Sequence, residues 1–250
     1  MKRLFPFLML LAMMGFTIGE NKKVTIWMIG DSTMSIKDPQ AFPETGWGMP
    51  FAGFWNQTVE VENRAKNGRS TQSFLDEGLW VPVREHLKEG DYVLIQFGHN
   101  DEVPTKKTAT SPEVFRANLE RYISETKSKK AIPIVLSSVA RRKFDSTGMP
   151  VDTHREYAAI SKEVAEQSGV LFIDMNKESL ALLQELGPEG SFFLFNHLAA
   201  GEHPNYPEGK KDDTHFNELG ARRMAELVLV AIRKSDLALK DRILKPAIKN

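Results

Sequence analysis

Short apolar runs rich in β-branched residues recur along the chain, and turn-forming residues bound most of them. Most of these runs are continuous rather than alternating, which is typical of strands in a parallel sheet that is covered on both faces. The run at 59–63 alternates between apolar and polar residues but also reads as a strand. We therefore predict five strands, at residues 24–29, 59–63, 92–97, 132–136 and 170–173.

Helical spacing of apolar residues fills the stretches between these strands. Helices are predicted at residues 70–87 with a kink or restart at Pro82, from Ser111 to about Ser128, from Asp152 or Thr153 to Gly169, and from Asn217 onward. This order predicts an α/β protein, a three-layer α/β/α sandwich with a five-stranded parallel sheet. Residues 188–216 lack periodicity and predict a long irregular loop, which in a compact domain is often functional.

The first nineteen residues have the three parts of a secretory signal peptide. Lys2 and Arg3 form a basic start, residues 4–16 are almost wholly apolar, and Thr17 and Gly19 are small residues before a cleavage site. The apolar run is shorter than the roughly 20 residues of a membrane span. We therefore expect cleavage after Gly19, a single domain over residues 20–250, and a secreted or periplasmic protein. An uncleaved membrane anchor is the alternative.

Composition removes several classes of function. The chain has 33 basic and 33 acidic residues, and without residues 1–19 it keeps 31 and 33, a net charge of −2. A protein that grips nucleic acid usually has a basic surface, so a nucleic-acid partner is not expected. The absence of cysteine excludes disulfides, a thiolate nucleophile, cysteine-ligated zinc and iron–sulfur clusters. Serine is then the natural nucleophile.

Polar residues gather where the predicted strands end. Gly30-Asp31-Ser32 follows the first strand, Asn67-Gly68 comes soon after the second, and Gly98-His99-Asn100-Asp101 follows the third. Asp212-Asp213-Thr214-His215 lies just before the last helix. Ligands of open parallel sheets bind beyond the carboxyl ends of the strands, so these four segments are expected to converge.

The four segments contain the parts of a serine ester hydrolase. Ser32 is the candidate nucleophile, His215 the base, and Asp212, three residues earlier, the group that orients the base. The N–H groups of Ser32 and Gly68 and the side-chain amide of Asn100 are candidate donors to the oxyanion. Each has a simpler interpretation, because Ser32 can be a helix cap, Gly68 a turn residue and Asn100 an Asx-turn residue.

These segments resemble the sequence blocks of the SGNH (GDSL-type) hydrolase family. Gly30-Asp31-Ser32, Gly68, Gly98-His99-Asn100-Asp101 and Asp212-Asp213-Thr214-His215 match four of its blocks in order. The resemblance implies a flavodoxin-like SGNH hydrolase fold. It favours Asp212 over Asp213 as the acid of the triad, and it implies neither a cofactor nor a metal.

One position narrows the resemblance. Thr33 follows Ser32, where many relatives have leucine, and Gly-Asp-Ser-Thr looks like the rhamnogalacturonan acetylesterase branch. The stretches at residues 76–78, 96–101 and 214–216 look like the same branch. The resemblance implies removal of acetyl groups from a pectin-type polysaccharide. A lipase, arylesterase or thioesterase of the same fold and a non-catalytic carbohydrate-binding protein are the alternatives.

Other residues support weaker hypotheses. Arg141 and Arg142 follow the fourth strand and could bind galacturonate carboxylates, since arginine forms paired hydrogen bonds with carboxylates. Trp47, Trp55 and Trp80 could stack on sugar rings, but core packing is the expected role. A metal site built from His197, His203, Asp212 and His215 is not expected, because their spacing is not that of a tight ligand set.

Overall fold

Five parallel strands form the centre of the molecule, in the order β2-β1-β3-β4-β5. The structure is a computed structural model that describes residues 22–245. The predicted signal peptide at residues 1–19 therefore lies outside the described residues. The strands are β1 Val24–Gly30, β2 Val59–Asn63, β3 Tyr92–Gln96, β4 Ile132–Leu136 and β5 Leu171–Ile173. They confirm the predicted α/β class and the five strand positions to within one residue at each end.

Helices cover both faces of this sheet. Their bounds are α1 Gly48–Phe51, α2 Thr71–Asp76, α3 Trp80–His86, α4 Pro112–Ser128, α5 Arg155–Gln167, α6 Met175–Phe192 and α7 Glu218–Lys234. Short 3-10 turns lie at Pro39–Ala41, Ala52–Phe54 and Ala238–Arg242. Within residues 22–245, none of the helices combines the length and the apolar character that crossing a bilayer requires.

The two faces of the sheet bury separate sets of side chains, because successive residues of a strand point to opposite sides. Ile26 and Met28 of β1 face a core that α1, α6 and α7 complete. Trp27 and Ile29 face a second core, with α2, α3, α4 and α5. The continuous apolar runs of the sequence reflect this two-sided burial. The three layers are thus those that the sequence predicted.

The tryptophans belong to these two cores. Trp47 and Trp55 pack with the first set and Trp80 with the second, and all three are buried. The indole nitrogen of Trp47 donates to Gln96 Oε1 at 2.8 Å, and that of Trp80 donates to Glu125 Oε2 at 2.7 Å. The expectation of core packing rather than sugar stacking is confirmed.

Three details of the predicted helices were wrong. The helix expected at 70–87 is broken at Gly78, which has a φ of +69°, and not at Pro82. Pro82 lies in the first turn of α3, where the missing N–H is not needed by the helix. Neither Asp152 nor Thr153 caps α5, whose N-cap is His154. The predicted loop at 188–216 is helical as far as Phe192, beyond a break in α6 at Gly187.

The segment before α7 is attached to the sheet edge by backbone hydrogen bonds. The Thr45 N–H donates to the Phe216 carbonyl at 2.8 Å, and the Asn196 N–H donates to the His215 carbonyl at 2.9 Å. Asn217 then caps α7 by accepting from the Gly220 N–H at 3.0 Å. These bonds hold residues 212–216, which we call the histidine loop, over the carboxyl end of β1.

Candidate active site

A relay of three side chains joins the end of β1 to the histidine loop. Ser32 Oγ lies 2.9 Å from His215 Nε2, and His215 Nδ1 lies 2.9 Å from Asp212 Oδ2. A carboxylate can only accept, so His215 Nδ1 carries the proton and Nε2 offers its lone pair to the serine hydroxyl. This is the arrangement in which a histidine can remove the proton of a serine.

The turn after β1 bends sharply and presents the side chain of Ser32, a largely buried residue, to His215. The N–H groups of Met34 and Ser35 donate to the Asp31 carbonyl at 3.3 and 3.2 Å. The Asp31 side chain accepts from the N–H and the hydroxyl of Thr33, at 2.9 and 2.8 Å. A Cβ at Gly30 would lie 2.4 Å from the Gln96 carbonyl, so only glycine fits where this turn begins. Gly-Asp-Ser-Thr is therefore a local structural unit that presents Ser32.

Asp212 is prepared to act as the anion of the relay. Its Oδ1 accepts from the N–H groups of Thr214 and His215 at 2.8 and 2.9 Å, which folds the loop back on itself. Burial alone would raise the pKa of Asp212, but the hydrogen bonds and charge of His215 outweigh it and hold that pKa well below its usual range. The carboxylate of Asp212 is therefore ionised at neutral pH.

The candidate oxyanion donors lie on the two neighbouring segments. Gly68 has a φ of +75°, in the left-handed region that favours glycine. Asn100 is buried, and its Nδ2 donates to the Arg69 carbonyl at 2.9 Å. Its Oδ1 accepts from Lys106 Nζ at 2.6 Å. The lysine fixes the orientation of the amide, and the nitrogen has a second hydrogen for a substrate. The roles of Ser32, Gly68 and Asn100 as oxyanion donors remain predictions.

The residue after Asn100 faces the scaffold. Asp101 Oδ1 accepts from the N–H and hydroxyl of Thr71 at 2.9 and 2.6 Å and from the Thr110 hydroxyl at 2.9 Å. Burial raises the pKa of Asp101 to about 6, although these hydrogen bonds oppose the rise. Asp101 therefore anchors the start of α2.

Arg141 and Arg142 each have partners within the protein. Arg141 forms an ion pair with Glu102 and donates to the His99 carbonyl at 3.2 Å. Arg142 lies 2.8 Å from Asp213 Oδ1 and donates to the Pro188 carbonyl at 2.6 Å. Their predicted contact with a substrate carboxylate stays a prediction, and it would compete with these bonds.

Asp213, His197 and His203 bond to groups outside the relay. His197 Nε2 lies 2.9 Å from Asp213 Oδ1, and the His197 ring stacks on Phe192 at 4.2 Å. His203 Nδ1 accepts from the Asn205 N–H at 3.2 Å. Asp213, adjacent to Asp212, thus holds Arg142 and His197 rather than His215.

A metal ion has one candidate position among residues 22–245. A carboxylate oxygen of Glu44, one of Asp212 and a ring nitrogen of His215 lie within 4.8 Å of one another. Glu44 is already bonded to Lys37 at 2.7 Å, and Asp212 and His215 are bonded to each other. These bonds occupy the donor atoms, and the expectation that the protein needs no metal stays a prediction.

Sequence reasoning missed three charged residues beside the relay. Lys37, Glu44 and Lys106 are dispersed along loops, and nothing in their spacing distinguishes them from surface charges. Their proximity to Asn67, His215 and Asn100 results from the fold alone.

Comparison with known proteins identifies the family of this chain. The model of the GDSL-like Lipase/Acylhydrolase family matches residues 28–223. The chain belongs to this family. The resemblance drawn from the four sequence blocks is thereby confirmed, and with it the expectation that the protein is a carboxylic ester hydrolase.

Two of the curated relatives are named as rhamnogalacturonan acetylesterases. The chain is 40% identical over 224 residues to rhamnogalacturonan acetylesterase RhgT of Bacillus subtilis (strain 168), covering 89% of this chain and 95% of the relative. It is 28% identical over 239 residues to a rhamnogalacturonan acetylesterase of Emericella nidulans, covering 87% of this chain and 88% of the relative.

Solved structures share the fold. The crystal structure of YxiM from Bacillus subtilis superposes with a TM-score of 0.75 and 28% identity, covering 87% of this chain but only 58% of that chain. Axe2, an acetylxylan esterase from Geobacillus stearothermophilus, superposes with a TM-score of 0.61 and 20% identity, covering 84% of this chain and 94% of that chain. At that identity the second likeness concerns the fold alone.

Proposed function

We propose that this protein removes O-acetyl groups from a plant cell-wall polysaccharide, with rhamnogalacturonan or a related pectin as the substrate. The observation that carries the proposal is the Ser32–His215–Asp212 relay, with two contacts of 2.9 Å. The names of two curated relatives support the choice of substrate, because both are rhamnogalacturonan acetylesterases. Both alignments cover most of this chain and most of the relative.

The first half of the reaction forms an acetyl-enzyme. His215 Nε2 takes the proton of Ser32 Oγ while the oxygen attacks the acetyl carbonyl carbon. Asp212 stabilises the imidazolium that results and keeps the ring in place. The carbonyl oxygen, on which negative charge develops, accepts hydrogen bonds from the N–H groups of Ser32 and Gly68 and from Asn100 Nδ2. His215 then returns the proton to the sugar oxygen, which leaves as an alcohol.

The second half releases acetate. A water molecule gives its proton to His215 Nε2 and attacks the acetyl-enzyme carbonyl, and the same donors hold the oxyanion. The intermediate collapses with the proton returned to Ser32 Oγ, so that acetic acid and free enzyme result. No cofactor enters this sequence, because each proton is moved by His215 and each charge is held by a residue of the chain.

Acetate release from acetylated polysaccharides tests this proposal. Acetylated rhamnogalacturonan, acetylated xylan and acetylated sialic acid are compared at equal acetyl content, with Ser32→Ala as the control. We expect the highest kcat/KM on rhamnogalacturonan and no release by the variant. A preference for xylan would show that the proposed substrate is wrong. Unchanged acetate release by Ser32→Ala would contradict the mechanism.

The length of the acyl group separates this proposal from a lipase or thioesterase. On p-nitrophenyl esters of increasing chain length, an acetylesterase should lose activity steadily from acetyl upward. Higher rates on long acyl chains would favour a lipase. Labelling of Ser32 by an organophosphonate probe excludes the non-catalytic carbohydrate-binding alternative, since a binding protein needs no activated serine.

We also propose that the protein is exported. The basic start, the apolar run at residues 4–16 and the small residues before Gly19 support a cleaved signal peptide. A polymeric substrate lies outside the cell, which agrees with export. The amino-terminal sequence of the protein recovered from culture fluid or periplasm tests it, with Glu20 as the expected first residue.

A further inference from the structure

Lys37 is a buried lysine next to the relay. Its side chain has no exposed surface, which is rare for lysine unless the charge is paired. The ammonium lies 2.7 Å from Glu44 Oε1 and 2.9 Å from Asn67 Oδ1. Lys37 therefore bonds Glu44 of its own loop, which follows β1, to Asn67 of the loop that follows β2.

The bond to Asn67 fixes the loop of one oxyanion donor. Asn67 Oδ1 accepts both from Lys37 Nζ and from the Ser35 hydroxyl, the latter at 2.6 Å. Ser35 lies in the turn that presents Ser32, and Asn67 directly precedes Gly68. The Asn67 side chain thus sets the distance between the nucleophile and the Gly68 N–H. Errors of about 1 Å in such distances can cost on the order of 100-fold in rate.

The bond to Glu44 controls charge near the base. A carboxylate oxygen of Glu44 lies within 4.8 Å of a ring nitrogen of His215 and of a carboxylate oxygen of Asp212. The Glu44 side chain is only 12% exposed, so water screens it poorly. Left unpaired, this second carboxylate would stabilise the imidazolium of His215 and raise its pKa, so a smaller fraction of the histidine would be neutral and able to accept the Ser32 proton at neutral pH.

We propose that Lys37 is a positioning residue for ester cleavage: its ammonium fastens the Asn67–Gly68 loop to the Ser32 turn and neutralises Glu44, leaving Asp212 as the carboxylate that sets the base strength of His215. The inference rests on the proposed serine-esterase function. Burial lowers the pKa of Lys37 and the Glu44 carboxylate opposes that effect, as a structural ion pair requires.

Several other charged groups act on His215. Lys210 Nζ lies 3.8 Å from Asp212 Oδ2 on the exposed side of the loop. Asp31, next to Ser32 in sequence, is buried and its charge interacts with that of His215. His99, after β3, is also buried, and burial lowers its pKa well below the usual range, so it stays neutral. These groups are unchanged when Lys37 or Glu44 is replaced, so a matched pair of variants isolates the Lys37–Glu44 contribution.

Lys37→Met and the double variant Lys37→Met/Glu44→Gln provide the test. The first leaves the Glu44 charge unpaired, and the second removes both charges. The pKa of His215 is measured by NMR titration of its ring and by the acidic limb of kcat/KM on p-nitrophenyl acetate. Lys130→Met is the control, because Lys130 pairs with Glu89 on the exposed surface before β4, at the opposite edge of the sheet.

The proposal predicts a different result for each variant. In Lys37→Met the pKa of His215 should rise by about one unit, and kcat should fall about tenfold with little change in KM. In the double variant the pKa should return to the wild-type value while kcat stays low, because the Asn67 bond is still missing. Lys130→Met should match the wild type in both.

Two results would overturn the proposal: a shift of the His215 pKa that persists in the double variant, or wild-type kcat in the double variant. If Lys37→Met does not fold, the double variant, in which Glu44 is also replaced, still tests whether loss of the Lys37–Asn67 bond lowers kcat. If the wild type hydrolyses no ester, the proposed function fails. The NMR titration still shows, independently of activity, whether Lys37 neutralises the effect of Glu44 on the pKa of His215.

Discussion

The histidine loop and the segment after β4 both bring charged residues to the same edge of the sheet, but they direct them differently. In the loop, Asp212 and His215 form a relay that ends on Ser32. After β4, Arg141 and Arg142 turn to Glu102 and Asp213, which are scaffold residues. Proximity to the reacting edge is therefore a weaker guide to chemistry than the partner that each charge has.

The largest expected effect is on catalysis by the relay of Ser32, His215 and Asp212. Ser32→Ala removes the nucleophile, and kcat on p-nitrophenyl acetate should fall by about 10⁴-fold or more. The Ser32 side chain makes few contacts that stabilise the fold, so the melting temperature should stay within a few degrees of the wild type. Activity above about one hundredth of the wild-type value would place the nucleophile elsewhere.

Asp212→Asn should be the next most damaging change. The amide can donate to His215 Nδ1, which would put the proton on the wrong ring nitrogen, and kcat should fall by about 10³- to 10⁴-fold. Asp213→Asn is the matched control from the adjacent position and should keep most of the activity. Equal losses in the two variants would show that the neighbouring carboxylates are not specialised.

On the scaffold side, Arg141→Met should affect stability. It leaves the Glu102 carboxylate, whose side chain is 9% exposed, without its arginine, and the free energy of unfolding should fall by about 3 kcal/mol. Arg116→Met, which breaks the surface pair with Glu163, should cost less than about 1 kcal/mol. Denaturant unfolding measures both.

The same arginine tests the substrate-binding hypothesis. If Arg141 and Arg142 serve the scaffold alone, replacing them leaves KM for an acidic polysaccharide unchanged in the protein that remains folded. A rise in KM on that substrate without a loss of stability would instead show that the guanidinium groups bind the substrate.

The last prediction concerns the pH dependence of stability. The folded-state pKa of Asp101 is raised to about 6, so the folded protein holds this proton more tightly than the unfolded chain does. The stabilisation from this proton is complete below about pH 4 and is lost as the pH rises through about 6, a change of about 3 kcal/mol. Asp101→Asn should lack this decline. Parallel stability curves for the two proteins between pH 4 and 7 would contradict the assignment.

Local patterns in the sequence predicted the parts of the fold that local physics determines. Buried strands appear as continuous apolar runs. Asp212 and His215 lie within one turn of each other, so their spacing allows the pair, but it was the family resemblance that favoured Asp212 over Asp213. The break at Gly78 was missed because the apolar spacing continues across it, and only its positive φ marks it. Lys37 and Glu44 were missed because their proximity to Asn67 and to His215 depends on how three separate loops pack.

The central claim is that Ser32 becomes acylated with His215 as its base. Trapping with an organophosphonate, followed by peptide mapping, tests it most directly, with His215→Gln as the comparison. We predict one adduct per chain, on Ser32, which forms rapidly in the wild type and far more slowly in the variant. An adduct on another residue, or equal labelling rates in the two proteins, would contradict the claim.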